Sequence, residues 1–114
     1  MENGVSGKPY EISDEFKVSR ANIYEYTFNA FGPLQAERYL GEIQRAIDTL
    51  PHWSMLYPEC RHMRTKSRMY RNIILGAHLI IYRITEHRIE VLDIVYSASS
   101  IGKIRGARGI QVSS

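Results

Sequence analysis

The residues best suited to chemistry lie in one run, Arg61-His62-Met63-Arg64-Thr65-Lys66-Ser67-Arg68-Met69-Tyr70-Arg71, which holds five Lys/Arg and no acid. Such a stretch can contact phosphates or dock an acidic segment of another protein. It can equally be the solvated edge of a sheet, where charge blocks unwanted strand pairing. The residues alone favour neither reading. Strand alternation puts Met69, Arg71 and Ile73 on one face and Arg68, Tyr70 and Asn72 on the other. Cleaving a ribose-phosphate chain needs a base for the 2′-hydroxyl, cations for the developing negative charge and an acid for the leaving oxygen. Arg64, Lys66, Arg68, Arg71, Arg83 and Tyr96 can supply charge and a proton. A base is missing unless a histidine serves.

Other chemistries find less support. His52, His62, His78 and His87 have neither His-x-x-x-His spacing nor a companion Cys or carboxylate cluster, so no metal site is expected. Cys60 stands beside Arg61 and His62, which can lower a thiol pKa, but a lone loop cysteine is usually inert. It cannot form an intramolecular disulfide, which suits a reducing compartment. No nucleophile-elbow serine occurs. Gly102, Gly106 and Gly109 match no dinucleotide or phosphate loop, and no cofactor is expected.

The chain that positions these groups has 114 residues, room for one domain, and 44% hydrophobic residues, too many for a disordered chain. Residues 1–59 carry five Lys/Arg against nine Asp/Glu, and residues 60–114 carry ten against three. The net charge of +3 therefore hides an acidic first half and a basic second half. Residues 1–9 lack the apolar core of a signal peptide, and the longest apolar runs are far short of a membrane span. A cytoplasmic protein is expected.

Lys8 to Ile12 reads as a short strand. Ser13 is a helix N-cap, with Asp14 and Glu15 in the first turn. Phe16, Ile23, Thr27 and Phe31 recur at helical spacing. Gly32-Pro33 separates this helix from a second, whose Ala36, Leu40, Ile43, Ile47 and Leu50 share one face. Pro51 is expected to stop it. So short a connection makes the two helices an antiparallel hairpin. Residues 51–67 read as a connection folded under as a lid on the core. Strands follow over 68–75, 78–85 and 88–96, joined by two-residue turns. The nearly continuous apolar run His78 to Tyr82 marks a central strand covered on both faces. The order is β-α-α-β-β-β, an α+β domain with a helical hairpin on an antiparallel sheet. Residues 1–96 form that domain, and 97–114 read as a polar, basic C-terminal tail, mobile in isolation.

Three stretches carry a family resemblance. Residues 21–27 with 31–40 (Ala-Asn-Ile-Tyr-Glu-Tyr-Thr, then Phe-Gly-Pro-Leu-Gln-Ala-Glu-Arg-Tyr-Leu) are similar to the hairpin of ParE-type proteins. Tyr70-Arg71-Asn72-Ile73 followed by His78 to Ile84 resembles a strand pair ending in Tyr-Arg. Ile89 to Tyr96 resembles the family's last strand. From about Tyr10 to Tyr96 the chain thus resembles the RelE/ParE toxin superfamily, closer to its ParE branch.

The resemblance implies the toxin of a bacterial type II toxin–antitoxin system of the plasmid-stabilisation kind, neutralised by a cognate antitoxin that wraps around it as helix and strand. A ParE-like member poisons DNA gyrase without covalent chemistry of its own. The alternative is a RelE-like endoribonuclease that cuts messenger RNA on the ribosome. RelE-like enzymes commonly place an arginine early in the middle strand, where this chain has His78. Many members have another near Ala98, and ParE proteins often have histidine where Tyr96 stands. These departures leave a third reading open, a degenerate toxin that only binds antitoxin. Expected target- or antitoxin-binding residues are Arg61, Arg64, Lys66, Arg68, Arg71 and Tyr96. Toxin–antitoxin hetero-oligomers are expected, with no membrane partner.

Overall fold

Ser13 closes the first strand and opens the first helix. Its Oγ accepts from the Phe16 amide and donates to the Leu92 carbonyl. The helix start is thereby pinned to the sheet. In the computed structural model, which describes residues 7–113, the elements run β1 (Tyr10–Ile12), α1 (Asp14–Phe31), α2 (Pro33–Asp48), α3 (Leu50–Trp53), β2 (Tyr70–Leu75), β3 (His78–Ile84), β4 (Ile89–Tyr96) and α4 (Ile101–Gly106). A 3-10 turn over Ala107–Gly109 follows.

The sheet order is β1-β4-β3-β2. The meander β2-β3-β4 is antiparallel as expected, while β1 adds a parallel edge against β4, with Tyr10 opposite Ile89. The helical hairpin between β1 and the meander is the crossover that a parallel pair requires. Gly32, at φ 92, makes the break between α1 and α2, and Pro33 starts α2. Pro51 does not simply stop a helix. It sits in the first turn of α3, where its missing N–H costs nothing.

The two faces of the sheet are covered differently. On one, Phe16, Ile23, Ile43 and Ile47 from the hairpin and Leu50 from α3 pack on Ile73, Ile80, Tyr82, Ile89 and Val91. The stripe predicted on α2 is buried, with Leu40 half-buried. On the other face, Tyr70, Ile81, Leu92 and Val95 meet Cys60, Met63, Ile104 and Ala107. A register shift beside Tyr82 bulges β4 at Leu92.

One expectation changes here. Residues 97–112 are not a loose tail. Ser100 caps α4 by accepting from the Lys103 amide, and Ile104 and Ala107 cover the sheet face that the hairpin leaves bare. Phe31, which continues the helical spacing of Phe16, Ile23 and Thr27, is 69% exposed while those three are buried. The hairpin overhangs the sheet at this end, so the stripe outlasts the surface it packs on.

Candidate functional site

The candidate residues separate into five groups. Arg71 faces inward and is 7% exposed. Its Nη1 donates to the carbonyls of Met55 (3.0 Å) and Tyr57 (2.8 Å), and its Nε to that of Arg68 (3.1 Å). It fastens the 51–67 connection to β2 and is not a surface cation. This corrects its assignment as a contact residue: the side chain is buried and three of its five N–H donors go to protein carbonyls.

Arg83 is also committed. It pairs in register with Glu90 across β3 and β4, with Nη2 2.6 Å from Oε1. Arg88 takes the other carboxylate oxygen at 2.9 Å. Burial alone would raise the Glu90 pKa, but hydrogen bonds from Arg83 and Arg88 hold it below the ordinary value. The same guanidiniums reach the C-terminal segment, Arg83 at the Ile110 carbonyl and Arg88 at that of Val112.

Arg68 is exposed, adopts φ 57 at the end of the 65–68 turn, and lies 3.6 Å from Glu59. Lys66 is exposed on the same turn. Arg61 and Arg64 instead line an open depression of about 440 Å³, together with His62, Arg105 and Arg108. Arg105 and Arg108 were not singled out in the sequence. The signal was present in the spacing of Ile101, Ile104, Ala107 and Ile110 behind Ser100, a capped helical repeat that faces both arginines outward.

Tyr96 belongs elsewhere. Half-exposed, it stacks on His78 with ring centroids 4.5 Å apart. His78 Nδ1 lies 2.6 Å from the Tyr39 hydroxyl, which is also 3.1 Å from the Leu75 carbonyl. Next to this cluster is a depression of about 260 Å³ lined by Tyr26, Thr27, Phe31, Gln35, Tyr39 and Tyr96 among others. His78 and Arg83 are five residues apart on β3, about 16 Å at strand rise. Tyr96 and Arg83 therefore do not converge on one phosphate. Cys60 is buried, and burial pushes its thiol pKa up, which disarms it as a nucleophile.

No described helix is long and apolar enough to cross a membrane. Taken together, the fold and its surfaces define a small α+β protein with dispersed cations and an apolar hairpin end. The family model for the ParE toxin of the type II toxin–antitoxin system, parDE, matches residues 10–100. The chain belongs to the ParE toxin family. Toxin ParE1 of Mycobacterium tuberculosis is 28% identical over 95 residues, covering 82% of this chain and 94% of that protein. Toxin ParE1 of Caulobacter vibrioides is 28% identical over 92 residues, covering 80% and 91%. A solved chain from the chromosomal ParDE toxin–antitoxin system of P. aeruginosa superposes with a TM-score of 0.67 at 15% identity, covering 80% of this chain and 97% of that one. That likeness supports the shared fold.

Proposed function

We propose that this toxin inhibits DNA gyrase by protein–protein contact, and that a cognate antitoxin silences it by covering the overhanging end of the helical hairpin. The carrying observation is the apolar surface there: Tyr26 is 60% exposed, Phe31 69% and Leu34 83%. Burying one such side chain contributes about 1.5–3 kcal/mol. An amphipathic antitoxin helix fits the depression between this overhang and Tyr96. The sheet offers a second hold. Residues 58–60 bond the outer edge of β2 as far as Asn72, and beyond them alternation turns the amide and carbonyl of exposed Ile74 outward. An antitoxin strand can add there.

The gyrase reading is supported by family membership and by the dispersal of the groups that RNA cleavage would need together. Purified toxin should trap gyrase on cut DNA and block supercoiling. Supercoiling left untouched at high toxin excess overturns the reading, and new messenger RNA 5′ ends after toxin induction replace it with the ribosomal one. Growth arrest on expression without antitoxin separates both from a toxin that only binds its antitoxin. Co-expression with the adjacent reading frame should co-purify the two chains, with Leu34→Glu breaking the complex.

A further inference from the structure

Arg61 and Arg64 leave the 58–69 connection on the same side as Arg105 and Arg108 leave the C-terminal segment, and the four guanidiniums border one depression. Among the described residues no acidic side chain lines it. Glu59 is paired with Arg68, and Glu90 with Arg83 and Arg88. Two of the four arginines are held in place by uncharged groups. Arg105 Nε donates to the His62 carbonyl at 3.2 Å, and the Arg108 guanidinium lies over the Tyr70 ring, 5.6 Å from its centroid. The Arg108 carbonyl in turn accepts from Arg83. These contacts fix where Arg105 and Arg108 sit, and among the described residues neither is ion-paired.

We propose that this arginine quartet binds the phosphodiester backbone of duplex DNA, so that the toxin grips the DNA of its target complex as well as the protein. The choice of DNA rests on the gyrase reading above. The choice of a phosphate chain over an acidic peptide rests on the site itself. Met63, the apolar residue in the lining, is 2% exposed, so a docking peptide finds no apolar anchor there. A phosphate backbone needs none, because counterion release alone drives its binding. Planar guanidiniums match phosphate oxygens two at a time, and successive phosphates can be shared among four of them. Among the described residues no Phe, Tyr or Trp lines the depression, and His62 is its one aromatic ring, a poor platform for successive unstacked bases. Duplex is thereby favoured over single strands, without sequence preference.

The test is fluorescence anisotropy of the full chain with a labelled duplex, titrated at several salt concentrations and without gyrase. Four phosphate contacts give a slope of log affinity against log salt of about −3 to −4. Arg61→Ala with Arg64→Ala should bring it to about −2, and replacement of all four by alanine close to zero. Lysine at all four positions should keep most of the slope, which separates lost charge from lost fold. Absence of duplex binding at low salt, or an unchanged slope in the quadruple alanine variant, overturns the proposal. So does tighter binding of single-stranded RNA, or of a polyglutamate peptide, at the same arginines. Gyrase trapping is measured on the same preparations. Wild-type toxin that binds the duplex through the quartet yet leaves gyrase untouched supports the DNA site and overturns only the gyrase reading.

Discussion

Arg83 and Glu90 stand directly opposite each other on β3 and β4, and the guanidinium Nη2 lies 2.6 Å from the carboxylate Oε1. Arg88, in the turn just before β4, completes the carboxylate at 2.9 Å. Both arginines also donate to carbonyls of residues 110–112. One acid therefore orients two cations that tie down the segment carrying Arg105 and Arg108. The charge asymmetry visible in the sequence is turned here into position.

Glu90→Gln should destabilise the protein by about 3 kcal/mol, because it leaves two nearly buried guanidiniums without a counter-charge. The pH dependence follows from the lowered carboxylate pKa. Its stabilisation is complete above the unfolded value near 4.5 and is lost as pH falls through the lower folded value. Urea midpoints should drop between those limits in wild type and less steeply in Glu90→Gln. Trypsin should also cut earlier at Arg105 and Arg108 in the variant. Equal midpoints would reduce the pair to a surface ornament.

Arg71→Ala and Arg64→Ala should behave as opposites. The first strips donors from the carbonyls of Met55 and Tyr57 and should cost about 2–3 kcal/mol in a denaturant titration. The second removes an exposed cation and should stay within about 0.5 kcal/mol. A large loss for Arg64→Ala would mean that its charge serves the fold.

Ile104→Ala should cost about 2–5 kcal/mol, since Ile104 is 2% exposed against Leu92 and Val95. A mobile tail would show no such effect. Thermal unfolding of this single variant settles the matter.

The sequence carried the fold wherever a local rule and the tertiary packing agree. Ser13, Gly32-Pro33, the α2 stripe and the apolar run of β3 each obey a short-range rule that the packing respects. It did not carry what depends on distant partners. Arg71 and Arg64 look alike within one basic run, and only the carbonyls of residues 55 and 57 turn the first into an anchor. Phe31 fits its helical stripe perfectly well, but no local rule says where the sheet beneath it ends. Residues 97–112 read as polar because Gly and Ser mask an apolar residue at every third position from Ile101 to Ile110. The arginine quartet needed both ends of the basic half to meet, which spacing along the chain does not reveal.

His78 should make the protein sensitive to mild acid. The Tyr39 hydroxyl has one proton, and its contacts to the Leu75 carbonyl and to His78 Nδ1 are both satisfied when it donates to the carbonyl and accepts from Nδ1–H. That tautomer leaves Nε2 as a bare acceptor, buried without a hydrogen-bond partner. Burial lowers the imidazole pKa, so the folded chain binds its proton later than the unfolded chain does. Stability is then constant above about pH 6.5 and falls as pH drops from there toward the lower folded value. His78→Phe keeps the stacking surface for Tyr96 and the Tyr39–Leu75 bond while deleting the titrating group. Urea midpoints between pH 5 and 7 should fall in wild type and flatten in the variant, and nitrogen chemical shifts should report Nδ1 as the protonated atom at pH 7. A variant with the same pH slope would assign the titration to another group.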